Sequence, residues 1–310
     1  MFRLLAPCLL LLVALAPPAA QARMSIGLAM GNIDAFQSKV ADGVSSAAGR
    51  MDAAVTVTNA ERDSDRLLRQ VEGHLAANVD VLIVVLTDSD VGPRVTSLAQ
   101  ARNTPVVFVN SEPANINELP ANQIYVGSDE RDSGTLQARE VCRMLGGKGR
   151  IGIMTGELTH FAARQRTVDV QDVIATPECK GLELVEQQSG LWSRTHGETI
   201  MREWLAADLS LDAVIANNDE MALGAIAALQ DRQAPAHPVI VAGIDATGPA
   251  LAAMRAGSLA VTVLQNATAQ GDAAVDTARR LVAGEEVKPI IYVPFELVTA
   301  ANIDRYDPRN

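Results

Sequence analysis

From Val79 to Leu86 the chain reads VDVLIVVL, and this run constrains the fold more than any other feature. Side chains on a strand alternate between its two faces, so a strand apolar at nearly every position must be covered on both. Such strands belong to parallel sheets with helices on either side. The rest of the chain agrees. Strand-like runs over 24–30, 53–58, 105–109 and 123–127 alternate with helical patterns over 36–48, 65–77 and 91–102. The alternation then restarts. Helical patterns over 133–145, 162–174, 195–207, 221–230, 249–256 and 267–283 are interleaved with strands over 150–154, 182–187, 213–216, 239–243, 259–264 and 290–293. This is the signature of doubly wound α/β structure. About a dozen strands exceed what one such sheet carries, so two sheets of about five or six are expected. No stretch rich in Gly, Ser or Pro separates them, which implies short hinges crossed more than once.

The first 22 residues stand apart. Arg3 precedes an apolar run over 4–16, Pro17 and Pro18 end it, and Ala20-Gln21-Ala22 has the A-x-A form of a cleavage site. This reads as a secretory signal peptide, too short to span a bilayer, cleaved after Ala22. Pro7 before Cys8, and the position of Cys8 ahead of most of the apolar run, argue against a lipoprotein cysteine. Export to an oxidising compartment permits a disulfide between Cys142 and Cys179, on successive βα units; a free buried pair is the alternative. With 310 residues, 48% of them hydrophobic, there is ample material for two cores, and the net charge of −11 argues against nucleic acid as a partner.

In open parallel sheets ligands bind beyond the carboxyl ends of the strands. The residues found there are Asn32, Asp34 and Phe36 after the first strand, Asn110 after PVVFV, and Glu157, His160, Arg164 and Arg166 after IGIMT. Farther on come Trp192, Asn217, Asn218, Asp219, Asp245, Gln265 and Asn266. Amides and carboxylates exchange hydrogen bonds with vicinal hydroxyls, arginine offers a planar fork of donors, and aromatic rings cover the C–H face of a cyclic polyol. Each has a plainer role open to it. Asn218, Asp219 and Asp245 could be helix caps, Phe36 a core residue, and one of Arg164 and Arg166 a solvated surface charge. Trp192 could cover a core edge. Enzyme signatures are missing: no G-x-S-x-G elbow, no P-loop, no G-x-G-x-x-G after the first strand. Histidines at 74, 160, 196 and 237 are too scattered for a metal site.

Several segments resemble the periplasmic sugar-binding proteins of ABC importers. They are TPVVFVNSEP (104–113), IYVGSDERDSG (124–134), VIANNDEMALGAIAAL (214–229), VAGIDAT (241–247) and GSLAVTVLQN (257–266). EVCRMLGGKG, GELTHFAARQRT, ECKG and VPFELVTAANI are similar to the inositol- and rhizopine-binding branch of that superfamily more than to the galactose/glucose type. The resemblance implies two Rossmann-like lobes with parallel doubly wound sheets, joined by three hinge strands, with ligand in the cleft. The first lobe would be 23–127 with a return over 266–292, and the second 128–265 with 293–310. It also implies a ligand-binding set of Asp34, Phe36, Asn110, His160, Arg166, Trp192, Asn218, Asp245 and Gln265.

Three departures from the galactose type narrow the ligand. Ala162 stands where that type has a carboxylate at the anomeric region, Gln265 replaces an asparagine, and the calcium loop is missing, with MLGGKGRIGI in its place. No metal or other cofactor is therefore expected. A ligand without an anomeric centre, such as myo-inositol or a related cyclitol, is preferred over galactose, glucose or a pentose. The expected protein is a periplasmic monomer and not an enzyme. It would deliver its ligand to an ABC permease in the inner membrane, or report it to a chemoreceptor or histidine kinase.

Overall fold

A computed structural model describes residues 23–231 and 238–306. The signal-peptide reading and His237 fall outside the described residues.

Two six-stranded sheets organise the chain. In the first, β1 (Ser25–Met30), β2 (Ala54–Asn59), β3 (Val81–Val85), β4 (Val106–Val109), β5 (Gln123–Gly127) and β11 (Ile290–Tyr292) lie in the order β11-β5-β4-β3-β1-β2, all parallel. In the second, β6 (Lys148–Thr155), β7 (Gly181–Ser189), β8 (Ala213–Ala216), β9 (Ile240–Ala242), β10 (Val261–Leu264) and β12 (Glu296–Thr299) take the same arrangement, β12-β10-β9-β8-β6-β7. Only the β10–β12 pair is antiparallel. Both orders reverse direction next to their first strand, which is where doubly wound sheets leave a crevice.

The apolar run over Val79–Leu86 behaves as its pattern requires. Val81, Ile83 and Val85 of β3 join a core with α1 (Gln37–Arg50) and α9 (Ala267–Val282). Leu82 and Val84 point the other way, into a core with α2 (Ser64–Ala76) and α3 (Gly92–Gln100). The second sheet is covered by α4 (Glu130–Met144) and α5 (Phe161–Ile174) on one face. On its other face lie α6 (Arg194–Ala206), α7 (Asp219–Gln230) and α8 (Gly248–Arg255). Cys142 on α4 and Cys179 before β7 are joined in a disulfide, tying two βα units of this lobe.

The chain passes between sheets three times: from β5 into α4, from β10 into α9, and from β11 into β12. The third crossing ends in β12, a strand the sequence pattern did not register. β12 is short, and its Leu297 and Val298 face opposite sides of the sheet amid polar neighbours. No helix among the described residues is long and apolar enough to cross a membrane.

Candidate functional site

The carboxyl ends of both sheets face each other across one cavity. Its wall is drawn from the loops after β1, β2, β3 and β4 on one side and after β6, β7, β8 and β9 on the other, with the crossings at Glu130 and Gln265 behind. Asp34, Phe36, Asn110, His160, Arg166, Trp192, Asn218, Asp245 and Gln265 all lie on that wall, and so does Ala162.

Local chemistry explains how each is held. Asp34 Oδ1 accepts from the backbone N–H of Phe36 and of Gln37 at 3.0 and 2.9 Å, fixing the turn into α1 and leaving Oδ2 with only a long contact to Asn32. Phe36 packs against the first core while presenting part of its ring to the cavity. Asn110 has φ +65°, the left-handed region that asparagine tolerates better than most residues. Its amide is held between Gln37 and Gln270 at 2.8 and 3.1 Å.

Opposite, Asn218 does two things at once. Its Oδ1 caps α7 through the N–H of Met221 at 3.0 Å, and its Nδ2 donates to the carbonyl of Trp192 at 3.3 Å. Trp192, itself at φ +61°, needs the room that Gly156 leaves: a Cβ on Gly156 would stand 2.1 Å from the indole. His160 meets Trp192 edge-on, with ring centroids 6.1 Å apart. Burial depresses the His160 pKa, against the pull of Glu157, so the ring is neutral near pH 7.

Arg166 is the electrostatic centre of the wall. It is 3% exposed, and Glu130 beside it is 2% exposed. Nε and Nη2 donate to the two Glu130 oxygens at 2.8 and 3.1 Å, Nη1 donates to the Asn217 carbonyl at 2.6 Å, and Nη2 reaches Gln265 Oε1 at 3.4 Å. Of five guanidinium N–H bonds, one on Nη1 is left over. Gly134 makes the pairing possible, because a Cβ there would fall 2.5 Å from the Arg166 carbonyl and push α4 off α5. The guanidinium also lies 5.7 Å from the centroid of the Trp192 ring.

Two acids on the wall are buried, Glu130 and Asp245, and only Glu130 is paired among the described residues. Asp245 is 7% exposed, and its carboxylate has no hydrogen-bond or ion-pair partner among them. The cap of α8 is Thr247, so Asp245 is not one. Burial drives its pKa well above the usual carboxylate range, with Arg166 opposing and the charges of Asp219 and Asp34 reinforcing. Its backbone sits at φ +123°, and Ala246 follows at +51°. Strain of this kind costs on the order of 1–3 kcal/mol per residue and is found at binding sites.

Other candidates resolve into structural roles. Asp219 is buried and accepts from Thr247 N–H, Thr247 Oγ1 and Thr262 Oγ1, locking α7 to α8 and β10 away from the cavity. Asn217 braces Gly156 N–H and Thr167, and Asn266 caps α9. Arg164 is exposed and donates to Leu158 O. Conversely, the wall includes Arg62, Thr87, Ser89, Glu112, Glu130 and Glu220, which the sequence reading did not single out. Thr87 follows β3 directly and Arg62 lies just beyond β2, so the strand-end rule applied to those two strands finds them. Glu112 and Glu130 each lie three residues beyond β4 and β5, so the same rule reaches them as well.

A pair of like-built lobes with a polar cleft between their strand ends is the architecture of a solute-binding protein. Residues 26–286 match the model of the periplasmic binding protein domain, and the chain belongs to that family. It is 44% identical to a putative rhizopine-binding protein of Rhizobium meliloti over 92% of this chain and 93% of the relative. A ribose import binding protein of Bacillus subtilis is 28% identical over 89% of this chain and 87% of its own length. Among solved structures, an ABC transporter solute-binding protein from Bacillus halodurans C-125, with bound myo-inositol, superposes with a TM-score of 0.85. It shares 36% identity, covering 93% of this chain and 98% of that one.

Proposed function

We propose that the protein captures a cyclic polyol in the periplasm, an inositol in preference to a hexose or pentose, by closing its lobes around it. It then delivers the ligand to an ABC permease in the inner membrane and performs no chemistry on it. The observation that carries this reading is the Asp245 carboxylate, buried on the cavity wall with no partner among the described residues. A buried carboxyl with no partner is costly in either protonation state, and ligand hydroxyls, which both donate and accept, remove the cost. The spare N–H of Arg166 supplies a donor for a hydroxyl oxygen, and the Trp192 ring supplies a face for ring C–H groups. Asp34, Phe36, Asn110, His160, Asn218 and Gln265 complete a binding set shared between the lobes.

Preference for a cyclitol rests on Ala162, which places a methyl group on the wall where an acceptor for an anomeric hydroxyl would otherwise stand. The myo-inositol bound by the 36% identical relative is in keeping with it. Because ligand must touch both lobes, only the closed state offers every contact, and binding shifts the population toward it. The reading is tested by mass spectrometry of the small molecule released when freshly purified protein is denatured. A cyclitol is the expected product. A hexose or pentose would keep the binding role and overturn the ligand class.

A further inference from the structure

The rims of the two lobes touch at a place where both backbones are strained. Glu61 and Arg62, in the turn after β2, have φ of +53° and +68°, and Leu191 and Trp192, in the turn after β7, have +52° and +61°. Successive non-glycine residues in the left-handed region are costly, at about 1–2 kcal/mol each. Here the two turns meet. Nη1 of Arg62 donates to a carboxylate oxygen of Glu157 and lies 3.4 Å from the carbonyl of Leu191, both on the other lobe.

We propose that Arg62 and Glu157 form a cross-cleft clasp that favours lobe closure whether or not ligand is bound. Arg62 is then a positioning residue that sets affinity without setting selectivity.

The pairing pattern supports this over an incidental surface contact. Among the described residues, both acceptors of the Arg62 side chain lie across the cleft. The neighbouring carboxylate on its own lobe, Glu61, is taken by Arg66 at 2.7 Å. On the other side, the one further ionisable partner of Glu157 among the described residues is His160, at 3.6 Å. Opening therefore exchanges the Arg62–Glu157 pair for water, and the carboxylate next to Arg62 in the chain, Glu61, is already held by Arg66. Glu157 is 21% exposed and Arg62 43%, so the pair is partly shielded from the solvent that weakens most surface ion pairs. A second link, Phe161 N–H to Ser89 Oγ at 3.2 Å, ties the same rim and carries no charge.

The consequence is quantitative. If only the closed state grips ligand fully, the apparent dissociation constant is the intrinsic one divided by the closed fraction. A change in that fraction multiplies every ligand's constant by the same factor. Arg62 and Glu157 also line the cavity, and a direct contact with ligand would behave otherwise, altering the ranking of ligands that differ in hydroxyl pattern.

The experiment has two arms. The first does not depend on ligand identity: small-angle scattering of ligand-stripped parent, Arg62→Ala and the charge swap Arg62→Glu with Glu157→Arg, at low and high salt. We expect Arg62→Ala to be more expanded than the parent, high salt to shrink that difference, and the swap to restore compaction. Identical radii of gyration for parent and Arg62→Ala at low salt overturn the proposal. The second arm titrates myo-inositol, scyllo-inositol, D-ribose and D-galactose into the same proteins. The expected result is a loss of about two- to fivefold for every ligand that binds, with ranking unchanged. A changed ranking makes Arg62 a ligand contact and overturns the clasp. If none of the four binds the parent, the ligand assignment fails while the scattering arm still decides the clasp.

Discussion

Glu130→Gln removes one charge from the most deeply buried ion pair of the cavity wall. Glu130 accepts two hydrogen bonds from Arg166 and one from Gln265 Nε2 at 3.2 Å, with both charged side chains at most 4% exposed. An amide presents one acceptor where the carboxylate presents two, and its NH2 group points a donor at a donor. Breaking a buried pair by neutralising one partner costs about 3–5 kcal/mol, because the remaining charge stays buried. Asp245 also faces Arg166 and recovers part of the loss, which places the expected cost near 3 kcal/mol. For domains of this size that corresponds to a fall in melting temperature on the order of 10 °C. The assay is a thermal melt by circular dichroism at pH 7, with Glu130→Met combined with Arg166→Met as the control. Replacing both partners by apolar residues should recover much of the stability while abolishing ligand binding. A Glu130→Gln melt within about 2 °C of the parent would show that the guanidinium is not buried as described.

Three further outcomes are expected. Trp192→Ala should weaken ligand binding by about 1–3 kcal/mol, and ligand should change Trp192 fluorescence, whereas Trp204, 3% exposed in the second core, should stay silent. A response kept in Trp192→Phe and lost in Trp204→Phe would assign the stacking to the wrong ring. Ala162→Asp should move the ratio of galactose to inositol affinity toward galactose by about 1–3 kcal/mol, and calorimetry showing no change in ratio would remove Ala162 from the contact surface. Glu112, whose pKa is pushed up to about 7 by burial and then by the charges of Glu130 and Asp129, binds its proton more tightly folded than unfolded. Stability should therefore fall as pH rises from about 4.5 to 7, and Glu112→Gln should be more stabilising in urea melts at pH 8 than at pH 5. Equal effects at both pH values would contradict that sign.

The repeated alternation of strand and helix made the two-sheet architecture legible, since a short, β-branched-rich run such as VDVLIVVL set between helical patterns fits a strand covered on both faces. Element ends were less so. Helix α4 begins at Glu130, where the sequence reading began it at Ser133, because Asp129 caps it through Arg131 N–H within a polar stretch that hides the first turn. That shift is why Glu130 was missed: a residue read as part of a turn gave no reason to expect a buried partner for Arg166. β12 was invisible because it is four residues long, with two apolar residues between Glu296 and Thr299. The strand-end rule located the cavity wall well, yet it could not separate Asp219 from Asp245. Both are buried acids near helix starts. What distinguishes them is that two threonines and a backbone N–H satisfy Asp219, while Asp245 turns toward the cavity on a strained backbone, and neither fact is written locally in the chain.

The most direct test of the central claim is isothermal calorimetry of ligand-stripped protein against myo-inositol, scyllo-inositol, D-galactose, D-glucose, D-ribose and D-xylose. A cleft holding the unpaired carboxylate of Asp245, the spare donor of Arg166 and no acid at Ala162 should bind a cyclitol tightest. It should discriminate against ligands that leave those groups unpaired by at least about 1–3 kcal/mol. Tight galactose or ribose binding with both inositols silent would contradict the account.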